Sequence, residues 1–505
     1  MEKGLFAGSS DLNFHCQLRI QACREPMEKL TRLLQVSIAE AKMFKLCTLG
    51  LLLGLLIPSQ GTVPGTVVRV NREALEYVCQ QGKPSLLQGL ELMKIQNFVG
   101  QGQLLGSVLN VVGINIKNVQ LPHLSVKLIP KTGVQLSLSC QLHIRASLLI
   151  TSLELKVGSS IMLDIRVGRT PSGIPFLSIT ACKSILGDVQ IILGGNNLLG
   201  FLKPIQDHIR AALVDQMCLS VSNVVLGLNT KMGALVGVNS INPMSRFQYS
   251  MLDPPEITSD YIDLDLNAAI ALMGRPFDIS VPEIPFSLPP PRKDDVDSMV
   301  NMGISEPFIS KMFATLMKSG VLNFNMRNPS NLKGYHLTTS MLEPAIPSIR
   351  QKFPKEVALG LNVVLSKFPL VSFREGAALL RVRISVEVVV DTARSSAVAQ
   401  TLCTLGVDLT LGLKLKVSRT NIGFSVGLQG GVGLQVDSSS VKIAKIAKMK
   451  EIILSKIEKA FLAHLNAVLS VGISLPKMSN LQYVDPQIEI HEGYAQVNCD
   501  LDYVP

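Results

Sequence analysis

The sequence predicts an α+β fold in two similarly built halves, each a sheet of long antiparallel strands covered by helices. Three observations carry this. Apolar residues alternate over long stretches, then switch to a three-and-four spacing, and that order recurs after a proline-dense segment.

In the first half, Leu124, Val126 and Leu128 lead into a turn at 130–133. Val134, Leu136, Leu138, Cys140, Leu142 and Ile144 then alternate with Gln135, Ser137, Ser139, Gln141, His143 and Arg145. This spacing predicts a long hairpin with one wet face. Ile161, Leu163, Ile165 and Val167, a turn at 169–173, and Leu177, Ile179 and Ala181 predict a second hairpin. Leu202, Ile205, Ile209, Ala212 and Leu213 recur at helical spacing and predict an amphipathic helix over 198–226. Prolines between 276 and 297 deny both helix and inner strand, which predicts an extended linker over a surface. The second half repeats the order. Phe308, Ile309, Met312, Phe313 and Leu316 predict a helix, and Leu379, Val382, Ile384, Val386 and Val388 a strand. Gly-rich strands over 405–436, a helix over 441–469 and a last strand near 487–503 complete it.

Met43-Phe44-Lys45 opens a cationic segment, residues 46–57 are almost wholly apolar, and small Ser59 and Gly61 follow. That order reads as a secretory signal peptide. The apolar run is well short of the roughly 20 residues that cross a bilayer. The expected organisation is an upstream extension over 1–42 that is absent from the mature protein, a signal peptide over 43–61, a first half over 62–275, a linker over 276–297 and a second half over 298–505. The expected location is extracellular.

Of the residues, 47% are hydrophobic and 17% charged, against about 25% charged in ordinary soluble chains. The excess calls for long doubly covered sheets or an internal apolar ligand. Residues 62–297 carry 19 basic and 18 acidic residues, and residues 298–505 carry 22 and 15. The surplus gathers in Lys442, Lys445, Lys448, Lys450, Lys456 and Lys459, placed on one predicted basic helix. It supports a weak preference for an anionic membrane surface. Nucleic-acid binding would need interleaved aromatics and a known module, and the sequence has neither. His123, His143, His208, His336, His464 and His491 lie near no catalytic or metal-binding motif, so no enzyme, metal or cofactor is expected.

Six cysteines follow the signal peptide: Cys79, Cys140, Cys182, Cys218, Cys403 and Cys499. Ser178, Thr180 and Cys182 share the strand face opposite Leu177 and Ile179, which predicts that Cys182 points away from the sheet interior. Cys218 lies late on the helix. A bond between the two would pin that helix to the outside of the sheet. Cys140, on the apolar limb, reads as a small buried hydrophobe, and the pairing of Cys79, Cys140, Cys403 and Cys499 stays open.

Thr62-Val63-Pro64-Gly65-Thr66-Val67-Val68-Arg69-Val70, Leu75-Glu76-Tyr77 and Gln80-Gln81-Gly82 resemble the mature start of the bactericidal/permeability-increasing protein and its lipid-transfer relatives. Val119-Gln120-Leu121-Pro122, the Cys182 and Cys218 pair, Gly320-Val321-Leu322, Leu337-Thr338-Thr339-Ser340 and Lys352-Phe353-Pro354 fit the same pattern. The chain is most similar to the long palate, lung and nasal epithelium clone group, family B of that fold. The resemblance implies an elongated two-barrel boomerang, each half a twisted antiparallel sheet with two long helices, joined by a central sheet. It also implies an apolar pocket in each half. The ligand would be a lipid or small hydrophobe, odorant-like molecules included, carried in mucosal secretions. Leu75, Val78, Leu202, Ile205, Ile209 and Leu213 are the expected lining of the first pocket.

Two departures from the family pattern matter. Lipopolysaccharide-binding relatives carry several cations in the loops matching 96–109 and 146–158, where only Lys156 remains here. Weak lipopolysaccharide binding is therefore expected of the alternative role, an innate-immune or membrane-interaction protein with closed pockets. Gly82-Lys83-Pro84 also interrupts the first helix.

Overall fold

The computed structural model describes residues 63–504 other than 105–106, 149–150, 194–195, 198–202, 278, 280–284, 292–297, 327–335 and 391–399. The upstream extension and signal peptide lie outside the described residues, as does Leu202.

Alternation in the first half produces long strands. Phe98–Leu104, Ser107–Ile129, Gly133–Leu148, Thr151–Arg169, Pro175–Leu193 and Asn196–Asn197 form one antiparallel sheet in sequence order. Leu124 pairs with Leu138 and Leu128 with Val134 in the first hairpin, and Val167 pairs with Leu177 in the second. Leu136, Leu138, Cys140, Leu142 and Ile144 are buried, while Gln141 and Arg145 are exposed. Arg72–Gln81 and Lys83–Glu91 are separate helices broken at Gly82. The long helix is Lys203–Gly227.

A central antiparallel sheet interleaves both halves in the order Leu481–His491, Tyr494–Tyr503, Val300–Ser305, Thr66–Asn71, Tyr261–Leu272, Ser245–Met251, Val238–Asn242. The single last strand expected near 487–503 is thus a hairpin, because Gly493 adopts φ 82° and reverses the chain. The turn of the second N-terminal hairpin docks on this sheet. Gly173, at φ 77°, accepts from Met251 N at 2.9 Å, and a Cβ there would sit 2.7 Å from Ser250 Cβ.

Both faces of the central sheet are covered. Val68, Met302 and Ile304 face the apolar core. Part of the proline-dense linker crosses the other face as a strap, with Leu288 buried and Phe286 against Tyr494 at 5.3 Å between ring centroids. Gly303 makes this approach possible, since a Cβ there would lie 2.7 Å from Leu288 Cδ2.

The second half has its own sheet, built on Ala358–Leu365, Ala377–Val390, Thr401–Val417 and Asn421–Leu428. In Ala377–Val390 it is Leu380, rather than the expected Leu379, that joins Val382, Ile384, Val386 and Val388 in the core. Two residues per pleat from Val382 lead to Leu380. Two helical stretches cover this sheet. Glu306–Lys318 is capped by Ser305, whose hydroxyl accepts from Phe308 N. Ile446–Lys456 continues through a π turn, Ile457–Phe461, into Leu462–Leu469.

The two halves repeat one device for seating the long helix. The Asn229 side chain, just past Lys203–Gly227, accepts from Leu177 N at 2.6 Å and donates to Leu177 O at 2.9 Å. Asn466 does the same to Val426 N at 2.6 Å and Val426 O at 3.0 Å. Each amide satisfies a strand residue's donor and acceptor together, so the helix end is locked to one register.

Candidate functional site

The candidate site is the apolar layer between the N-terminal sheet and the helix Lys203–Gly227. Ile205, Ile209, Leu213, Met217, Val221 and Val225 recur every four residues and are all buried. Such a row drifts by roughly 40° per step around an ideal helix, or roughly 200° over five steps. A flat sheet could not bury it throughout, so the sheet must curl about the helix. Leu138, Leu142, Leu155, Ile161 and Leu163 supply the opposing surface.

Cys182 and Cys218 are joined by a disulfide, with Cα atoms 6.0 Å apart. The bond lies on the inner side of the sheet, contrary to the expectation that Cys182 faces outward. Ile179 pairs with Ile165, but Ala181 pairs with Asp164 and Cys182 with fully buried Leu163. The extra residue at this bulge shifts the alternation by one. Thr180 and Ala181 are both exposed, and Cys182 turns back to pack on the core. The disulfide therefore ties the helix to the sheet across the apolar layer.

Of the expected pocket residues, Ile205, Ile209 and Leu213 share this layer with no measurable exposure. Leu75 does not join them: it packs on the cluster that runs through the central sheet and the C-terminal half. Val78 is half-buried. The break at Gly82 separates the helix bearing Leu75 and Val78 from the next one, whose Leu86 and Leu90 do join the N-terminal layer. Met217, Val221 and Val225 were missed, although the same four-residue step announces them.

The layer holds two buried hydroxyls with no hydrogen-bond partner, Ser159 and Ser184. Cys140 lies directly opposite Ser159. Burial pushes its thiol up to about 11, and the Ser159 hydroxyl draws it down slightly.

In the C-terminal half, Phe313, Leu322, Leu365, Pro369, Phe461 and Leu465 are among the walls of an apolar crevice. It leaves about 10 Å³ for the centre of a water molecule, the lower limit for one water. A chain could enter only if the walls part.

The expected basic helix is not one stripe. The helix begins at Ile446, so Lys442 and Lys445 precede it. Lys448 pairs with Glu451 at 2.8 Å, and Lys450, two residues on, points roughly 200° away. Lys456 is buried and donates Nζ to His336 O at 2.7 Å, and burial followed by the Lys459 charge lowers its pKa. Lys459 is exposed on the π turn. Among the described residues, no three His, Cys, Asp or Glu side chains gather as a metal site.

Residues 74–230 match the N-terminal domain of the LBP / BPI / CETP family and residues 239–503 match its C-terminal domain. The chain belongs to this family. It is 35% identical to BPI fold-containing family B member 2 of Homo sapiens over 457 residues, 90% of this chain and 98% of that protein. It is 25% identical to the bactericidal permeability-increasing protein of Rattus norvegicus over 465 residues, 87% of this chain and 94% of that protein. Among solved structures, the lipopolysaccharide binding protein superposes with a TM-score of 0.57 at 21% identity, covering 88% of this chain and all of that one. The fold is α+β, as the sequence predicts.

Proposed function

We propose that this protein is a secreted carrier of a lipid or small hydrophobe, odorant-like molecules included, in mucosal fluid, and that it holds the ligand in the layer between the N-terminal sheet and the Lys203–Gly227 helix. The observation that carries this reading is that the helix is apolar on more than its core face. Within the Lys203–Val236 stretch, the most apolar 18-residue window has only 22% of its residues buried, and Leu219 and Leu226 are exposed. A helix with apolar residues on both sides loses little by lifting from the sheet around a ligand that covers its inner row. The disulfide keeps it attached while it does so. Family membership, with relatives that include a lipopolysaccharide binding protein, supports the same class of ligand.

Burying a chain of roughly 13 methylenes yields about 10 kcal/mol, within the estimated association cost of about 4 to 15 kcal/mol. One chain is marginal alone, so the fit of the layer decides affinity. Native mass spectrometry of protein purified from its own secretion tests the reading. Co-purifying masses in the lipid range are expected, and ligand-free protein that takes up no added lipid would overturn it. Residues 43–61 as a signal peptide and Cys182 with Cys218 as a permanent tether belong to the same proposal, and so do the halves at 62–275 and 298–505.

The innate-immune alternative is disfavoured by the broken lysine stripe. Lipopolysaccharide binding is expected to be weak and to fade at about 0.15 M salt, where exposed charges are screened beyond about 8 Å. Nanomolar affinity persisting there would reverse the preference.

A further inference from the structure

The apolar layer of the N-terminal half is interrupted at one place. Ser159 is buried, faces Cys140 on one neighbouring strand and Leu186 on the other, and makes no hydrogen bond. Ile161, the next inward residue on its strand, faces Ser184, whose buried hydroxyl also makes none. Ser184 lies one pleat, roughly 7 Å, from Cys182 and thus beside the tether to the helix. The Cys140 thiol is the one polar group turned toward Ser159, and a thiol is a weak donor and acceptor. Buried hydroxyls without partners are uncommon and costly. These two lie on adjacent strands of one inner face, between the bulge at Asp164 and a second one between Val157 and Ser159.

We infer that Ser159 and Ser184 form a polar reading point for a ligand that brings a neutral oxygen, an alcohol or a carbonyl, into the apolar layer. The inference rests on the carrier reading and narrows its ligand class. A hydroxyl both donates and accepts, so either oxygen type finds a partner there. A carboxylate does not fit. Among the described residues, Ser159 is the one buried polar residue of the sheet and helix that bound the layer, and no buried cation is present to compensate a charge. A plain alkane would leave both hydroxyls as they are.

The test uses the full secreted chain and displacement of a fluorescent apolar probe by 1-hexadecanol, hexadecane and hexadecanoate. The wild type is expected to prefer the alcohol over the alkane by up to about tenfold, the net worth of one hydrogen bond, and to bind the carboxylate least. Ser159→Ala and Ser184→Ala, singly and together, are expected to reduce that preference toward unity while alkane binding is kept. Their melting temperatures should equal or exceed that of the wild type, because an unsatisfied hydroxyl is removed. Equal binding of alcohol and alkane by the wild type would overturn the inference and leave the carrier reading standing, as would an alcohol preference that survives both substitutions. Failure of the wild type to take up any of the three would overturn both.

Discussion

Arg69 and Asp263 lie opposite each other on adjacent strands of the central sheet and form a two-pronged ion pair, Nε to Oδ1 at 2.8 Å and Nη2 to Oδ2 at 2.7 Å. The guanidinium also donates to the carbonyls of Leu288 and Pro289 and stacks on the Tyr261 ring at 3.9 Å. One side chain therefore holds the strap to the sheet. Arg69→Met is expected to cost about 3 to 5 kcal/mol, since it strands a buried carboxylate. Pairing it with Asp263→Leu should restore most of the loss. Urea midpoints measure both, and cleavage within 276–297 should accelerate in the single variant. An unchanged midpoint for Arg69→Met would show that the pair does not hold the strap.

The Cys182–Cys218 bond closes a separation of 36 residues, and loop-closure entropy assigns it about 4 kcal/mol. Replacing both cysteines with alanine is expected to lower stability by that order. Peptide mapping of unreduced secreted protein should recover the linked pair. Free alkylation of both thiols would contradict the tether.

Ile209 sits mid-row against the sheet with no measurable exposure. Ile209→Phe overfills a close-packed layer at about 1 to 3 kcal/mol and should also reduce bound lipid. Melting temperature and lipid content measured on one sample separate the two effects. Destabilisation with unchanged lipid content would move the ligand elsewhere.

Asp265 titrates above its ordinary 3.8 because burial, then the neighbouring Asp263, Asp253 and Glu256 carboxylates, disfavour its charge. An acid with a raised folded-state pKa holds its proton more tightly when folded. The resulting stability is complete below 3.8 and is lost as pH rises through the folded value. Asp265→Asn is therefore expected to raise the melting temperature at neutral pH, with a gain that shrinks toward acid. A gain that does not change with pH would contradict this assignment.

Much of the fold was legible because it is written in local periods. The hairpin alternation, the break at Gly82-Lys83-Pro84 and the Glu306–Lys318 face appear where expected. So does the four-residue row of Lys203–Gly227, whose last three members needed only the same step continued. The Asn229 and Asn466 clamps left no such trace, since a lone asparagine near a helix end has many roles.

The sequence by itself determined the strand and helix periods, the apolar face of each element and the two cysteines that could meet, because these depend on near neighbours along the chain. Only the tertiary structure decided which way Cys182 turns, since the bulge at Asp164 exists only in register with a partner strand. It likewise put Lys456 beside the carbonyl of His336, sent Leu75 to another core than Ile209, and joined Arg69 to Asp263 from 194 residues away. Each of those outcomes depends on which surface packs against which, and a side chain's own sequence neighbourhood does not contain that information.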